Sequence, residues 1–142
     1  MVLHGNRNSL KQSILGYCME HFDEEELWLI DSLQIFDPYW LSRRNTARAR
    51  AVLRSIQVSR PFTIYQLRDK LFSLTKLRLS EKSTVIISAL NCFNDEVDMP
   101  EQGAIIRAMD GVLGRLPCKL LIGKLEGVMQ HGKDSHAGQI RG

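Results

Sequence analysis

The chain has 142 residues and a mass of 16.2 kDa, enough for a single hydrophobic core. Hydrophobic residues make up 44% and charged residues 25%, ordinary globular usage that excludes wholesale disorder. The net charge of +3 is small, but the charges are segregated. Pro38 to Arg68 contains seven arginines and no Asp or Glu, whereas Asp23–Glu26 and Asp95–Glu101 are acidic. Such a distribution sets fields of opposite sign on different parts of the surface.

The longest apolar runs are a few residues, against roughly 20 for a membrane helix, so no span is expected. The opening, MVLHGNRNSLKQ, has no charged segment leading into a long apolar stretch, so no secretory signal is expected. Cys18, Cys92 and Cys118 are odd in number and far apart. They suit buried thiols in a reducing cytoplasm, not a disulfide framework or a zinc knuckle.

In chain order, Met1–His4 is predicted as a short strand. Asn8 or Ser9 is predicted to cap a helix on which Leu10, Ile14, Tyr17, Cys18 and Phe22 recur at three- and four-residue steps. Leu27–Ile30 follows as a second strand, and Asp37-Pro38 as a turn. Thr46–Arg54 is predicted helical, with Ala47, Ala51 and Val52 inward and its arginines mostly outward. Ile56–Val58 is a third strand ended by Pro61, and Thr63 caps a helix striped by Ile64, Leu67, Leu71 and Leu74. Ser83–Leu90, with its Thr-Val-Ile-Ile run, has the pattern of a buried parallel strand. Glu101–Leu116 is a helix carrying Ile105, Ile106, Met109, Val112, Leu113 and Leu116, stopped by Pro117; Lys119–Gly123 is a fifth strand. Strands alternating with helices predict an α/β domain over residues 1–128, a three-layer fold with an open, mainly parallel sheet, and a flexible tail over 129–142.

Gly5-Asn6-Arg7-Asn8-Ser9-Leu10-Lys11-Gln12 leaves the first strand and opens the first helix, at the place and with the length of the phosphate loop GxxxxGK[ST]. Gly5 and Lys11 match the pattern. Leu10 replaces the second glycine, and Gln12 replaces the hydroxyl that binds magnesium. Taken alone, the segment reads more readily as a turn followed by a helix with a surface lysine.

Further segments resemble the RecA/RadA recombinase superfamily. Ile30-Asp31-Ser32-Leu33-Gln34-Ile35-Phe36-Asp37-Pro38 is similar to the end of that family's second core strand, where an IDTE-type segment leads into a Phe-x-Pro turn. Val52 to Leu67, with Ile56-Gln57-Val58-Ser59-Arg60-Pro61-Phe62 inside it, resembles the next helix–strand–helix unit of archaeal RadA-type proteins. Thr84-Val85-Ile86-Ile87-Ser88 falls where the family has its Walker B strand. The resemblance runs from about Met1 to Lys124.

It implies a RecA-like P-loop fold, truncated after its fifth strand. The family's catalytic glutamate falls at Leu33, its Walker B aspartate at Ser88 and its magnesium-binding hydroxyl at Gln12. A leucine cannot polarise water and a neutral serine cannot neutralise a metal ion, so no ATPase activity is expected. The resemblance implies a non-catalytic accessory or interaction protein linked to DNA recombination or repair. The alternative is a residual nucleotide-binding ATPase, with Gly5 and Lys11 on ATP, that takes its catalytic groups from a partner subunit.

The arginine-rich stretch is the best candidate interaction surface. Arg43, Arg44, Arg48, Arg50 and Arg54 could neutralise nucleic-acid phosphates, and Tyr39 and Trp40 could stack on a single-stranded base. A solvated helix face, or a basic face for an acidic protein partner, would use the same residues. The family's DNA loops would follow the fourth and fifth strands, and the first of these is here the acidic Asn91–Pro100. That favours a protein partner, such as a recombinase-type or other RecA-like subunit, over weak and non-specific nucleic-acid binding. His4, His21, His131 and His136 lack ligand spacing, and no serine lies in a nucleophile-elbow context. No metal, cofactor or catalytic residue is therefore expected.

Overall fold

The structure, a computed structural model, describes residues 1–128. The predicted tail, with His131 and His136, lies outside the described residues. Five strands form one sheet: β1 (Val2–Gly5), β2 (Glu26–Ile30), β3 (Gln57–Ser59), β4 (Ser83–Ile87) and β5 (Lys119–Leu125), in the order β1-β5-β4-β2-β3. Every pairing is parallel, so the sheet is wholly parallel among the described residues. Parallel neighbours cannot be joined by a hairpin, and each of β1 to β4 is followed by helix that returns the chain to the starting end. These helices are α1 (Arg7–His21), α2 (Pro38–Arg44), α3 (Thr46–Ser55), α4 (Ile64–Leu74) and α5 (Glu101–Leu113).

Successive strand residues face opposite sides of the sheet, and each side has its own core. Leu27 and Leu29 of β2, Ile86 of β4 and Leu121 of β5 pack with Leu10, Ile14, Leu41 and Val52 of α1, α2 and α3. Ile30, Val85 and Ile87 pack with Ile64, Leu67 and Leu71 of α4 and Met109 and Val112 of α5. All five residues of β4 are buried, as a central parallel strand covered on both faces requires. Each large buried side chain contributes about 1.5–3 kcal/mol relative to exposure. The fold is a three-layer α/β sandwich.

Local departures from expectation occur where a cap or a side-chain contact decides. Asn6, not Asn8 or Ser9, caps α1, its side chain accepting the Ser9 N–H at 2.8 Å. Asp37-Pro38 opens a helix instead of making a turn. The Asp37 carboxylate accepts the amides of Tyr39 (3.0 Å) and Trp40 (3.2 Å), and Pro38 supplies a helical φ with no N–H to satisfy. In α3 the buried residues are Ala49 and Val52, three apart, and this phase leaves Ala47 exposed. The helix α5 ends at Leu113, three residues short of expectation, where the Gly114 N–H closes on the Asp110 carbonyl before Pro117 is reached. The strand β4 stops at Ile87, because Ser88 and Ala89 turn to side-chain contacts with the segment after β2.

Two glycines separate a packing requirement from a sequence coincidence. A Cβ at Gly123, within β5, would overlap the carbonyl of Ser88, which is backbone and cannot swing aside. A Cβ at Gly5 would overlap the hydroxyl of Ser9, which can rotate at the loss of its bond to the Asn6 carbonyl (3.1 Å), and would otherwise make ordinary contacts with Ser9 and Leu10. Gly123→Ala is expected to cost about 1–3 kcal/mol, and Gly5→Ala no more than about 1 kcal/mol. Urea unfolding of the two variants measures the difference. Equal losses would show that the Ser9 hydroxyl cannot swing aside.

Candidate functional site

Ligands of open α/β sheets sit outside the carboxyl ends of the strands, where neighbouring connections leave to opposite faces. Here β2 leads to α2 and α3 on one face, and β4 leads to α5 on the other. The crevice between them is filled by the chain's own hydrogen bonds. The Leu33 N–H donates to Ser88 Oγ at 2.8 Å, and the Ala89 N–H donates to Ser32 Oγ at 3.2 Å. The Ser32 hydroxyl in turn donates to the Ala89 carbonyl. Asp31 is fully buried and accepts the amides of Ile35 (3.0 Å) and Phe36 (2.8 Å), with Arg60 Nε 3.7 Å away. A buried carboxylate needs such partners. Leu33 packs against the core of α1–α3, and Ser88 has no solvent exposure.

The junction between β1 and α1 is equally short of a phosphate cradle. Only Asn6 separates Gly5 from the first helical residue, Arg7. A phosphate loop needs several residues there to wrap an anion with backbone N–H groups. Asn6 already takes the Ser9 N–H, and Leu10 is buried in the core. Lys11 lies in the second turn, and its Nζ is 2.9 Å from Asp37 Oδ2 with both side chains partly buried. The Lys11 hydrogen bond and the Trp40 amide hold the Asp37 carboxyl below its usual range. Gly5 and Lys11 therefore share one end of the sheet, but Lys11 is paired and Gln12 is exposed on the helix surface.

The predicted basic surface divides into open and committed residues. Arg43 and Arg44 end α2, and Arg50 and Arg54 lie one turn apart on α3; all four are exposed. Tyr39 is 77% exposed. Arg48 is different, being half-buried with Nε (2.9 Å) and Nη2 (2.6 Å) both on the Met19 carbonyl and its guanidinium 4.9 Å from the centre of the Phe22 ring. It ties α3 to the last turn of α1. Trp40 is 9% exposed, and Arg44 lies 3.8 Å over its ring in a cation–π contact. A base could stack on Trp40 only by displacing Arg44. In the acidic segment, Glu96 accepts the Ile64 N–H at the start of α4, and Glu101 accepts the Tyr65 hydroxyl (2.8 Å).

At the opposite end of the sheet, Glu25 gathers a polar cluster. Its Oε1 accepts the hydroxyls of Tyr17 and Thr84, each at 2.6 Å, and its Oε2 lies 3.5 Å from Lys119 Nζ and 3.6 Å from His21 Nδ1. Burial pushes Glu25 up, but those two hydroxyls and two basic side chains together hold it below its ordinary 4.5. Burial and the Glu25 hydrogen bond push Tyr17 from 10.0 to about 12. Burial pushes the Cys18 thiol from 9.0 to about 12. Cys92 and Cys118, half-buried, are raised by the same cause.

Asp37, Arg48 as a helix tie, Asn91, whose side-chain amide pairs with the Leu125 backbone, and Gln102, whose Nε2 donates to the Asn94 and Val97 carbonyls, carry roles that sequence reasoning missed. Gln102 had a legible signal, since it falls on the apolar stripe of α5 with Ile105 and Met109. Among the described residues no helix is long and apolar enough to cross a membrane, and no three His, Cys, Asp or Glu side chains gather as a metal site. The sequence matches no family model and no curated protein.

The shifted groups set the limits of stability with pH. Tyr17 and Cys18 have folded values above their unfolded ones, so their contribution is complete below pH 9.0 and is lost as pH rises toward about 12. Glu25 is lowered, so its contribution is lost as pH falls below 4.5. Denaturation midpoints measured against pH should fall on the alkaline side, and less steeply in Tyr17→Phe. In the native state a thiol reagent should modify Cys92 and Cys118 before Cys18. Early loss of Cys18 would place it outside the core.

Proposed function

We propose that the chain is a non-hydrolysing, RecA/RadA-like accessory protein of the cytoplasm that acts in DNA recombination or repair. It binds a protein partner, a recombinase-type or other RecA-like subunit, through the exposed basic surface of α2 and α3. The observation that carries this is the occupation of the nucleotide region by structural contacts. Phosphoryl transfer by P-loop proteins needs a loop around the phosphates, a metal-holding hydroxyl and carboxylate, and a group that orients water. The corresponding positions hold a one-residue junction, a lysine paired with Asp37, a serine accepting the Leu33 N–H, and a leucine packed against the core. The basic surface retains Arg43, Arg44, Arg50, Arg54 and Tyr39 in the open, which suits an acidic partner surface.

Purified protein with magnesium and ATP should show no turnover above background. ATP should raise the melting temperature little, whereas about 3 kcal/mol of stabilisation is expected at 100-fold over a dissociation constant. Turnover abolished by Lys11→Ala would overturn the proposal. For the partner, Arg50→Glu combined with Arg54→Glu should abolish binding to a purified RadA-type recombinase while changing stability by only about 0.5 kcal/mol. Single-stranded DNA binding with a log–log salt slope near 3, at about 0.7 per phosphate contact, would assign the same surface to nucleic acid instead.

A further inference from the structure

The helix α3 carries an apolar side chain between guanidinium groups on its open face. Leu53 and Arg54 stand three and four residues after Arg50, so the three side chains share one side of the helix. All three are exposed, Leu53 to 43%. On α2, Tyr39 and Arg43 repeat the arrangement, one turn apart and both exposed.

A patch of the opposite charge lies where α4 begins and the segment after β4 runs into α5. Phe62 is 65% exposed, Met99 50% and Tyr65 38%. Single exposed apolar side chains need no explanation, but a gathered set rimmed by charge marks a contact surface. The gathering is fixed by two hydrogen bonds: Glu96 accepts the Ile64 N–H (2.6 Å), and Glu101 accepts the Tyr65 hydroxyl (2.8 Å). They hold the acidic segment, with Met99 in it, against the start of α4. Each bond fixes a carboxylate without neutralising it, and Glu96, Asp98 and Glu101 are all exposed. Arg68, 5.4 Å over the Tyr65 ring, is paired with Asp69 (3.0 Å) and does not cancel these acids. Arg107, which approaches Gly103 as Met99 does, is a cation at the border of the patch.

The acidic patch calls for an apolar side chain flanked by guanidinium groups, and α3 presents one. The sheet separates the two patches, because α3 packs on one of its cores and α4 and α5 on the other. One chain therefore cannot fill its own acidic patch with its own α3. We propose that the acidic patch docks α3 of a second copy of this chain. Leu53 is set against Phe62, Tyr65 and Met99, and Arg50 and Arg54 face Glu96, Asp98 and Glu101. An apolar centre with a charged rim is the usual anatomy of a protein interface, and tyrosine and arginine are its common anchors. Two different surfaces meet, so a pair leaves one patch of each sign open and association continues past the dimer. This rests on reading the α2–α3 surface as a protein-binding one, and it sets self-association in competition with a recombinase-type partner.

Sedimentation velocity of the full chain, from about 10 μM to about 1 mM, tests the contact. At about 0.05 M salt the mean mass should rise with concentration beyond that of a dimer, and about 0.5 M salt should suppress the rise. Arg50→Glu with Arg54→Glu, and separately Phe62→Lys with Asp98→Lys, should each weaken self-association at least about tenfold. All four side chains are exposed, so melting temperatures should stay near that of the parent. Mixed together, the two variants keep one intact pair of patches between them and should form a 1:1 dimer and nothing larger. No dimer on mixing, a parent mass that levels off at the dimer, or association unchanged in both variants would overturn the assignment. A monomer under every condition ends the inference but not the proposed function. Recombinase binding lost with Arg50→Glu and Arg54→Glu, and kept with Phe62→Lys and Asp98→Lys, reports on that function alone.

Discussion

The carboxylate of Asp31 is the constraint on which the carboxyl end of the sheet depends. A buried charge is costly unless hydrogen bonds and a counter-charge surround it, and here two amides from the following turn and Arg60 supply them. Meeting Asp31 forces residues 32–36 to fold back over the end of β2, with Gln34 in the left-handed region at φ 59°. That fold presents Ser32 and the Leu33 amide to the segment leaving β4. It also delivers Asp37 to the start of α2, where one carboxylate caps the helix and meets Lys11. Cap, ion pair and crevice thus descend from a single buried side chain.

The same dependence links positions far apart in the chain. The Ser88 hydroxyl is a partner for the Leu33 amide, so the segments after β2 and β4 hold each other in place. Lys11 is likewise held by the residue that caps α2. A carboxylate in place of Ser88, which has no solvent exposure, would put a charge into that contact and break it.

The layer order was legible because hydrophobic periodicity reports burial directly. Thr84-Val85-Ile86-Ile87 is apolar on both sides and proved to be the strand covered on both faces. The stripe Ile64, Leu67, Leu71, Leu74 with Thr63 before it became α4 with the expected cap. Periodicity says less about short helices. The helix α2 spans two turns, and an Asp-Pro pair serves equally as a turn or as N-cap and first residue. Strand order follows from contacts far apart in sequence, as when β5 inserts between β1 and β4, and no local pattern carries that information.

The candidate site was less legible, because charge counts do not say which cations are already engaged. Arg48 and Arg50 look alike in the sequence and differ in the fold, one binding the Met19 carbonyl and the other facing solvent. Trp40 lost its standing as an open stacking platform for the reverse reason: Arg44, counted as a phosphate contact, covers its ring. An arginine over an indole retains its charge and still attracts an acidic surface, while the flat aromatic face beneath is no longer offered to a base. The arrangement leaves the charges of Arg43, Arg44, Arg50 and Arg54 exposed and takes Trp40 out of the stacking surface, so that Tyr39 is the aromatic still open there. Single-strand recognition draws on successive aromatic platforms as well as charge, whereas an acidic protein surface needs the charge alone. One side chain folded over another thus weakens the stacking contribution of the surface more than its electrostatic one.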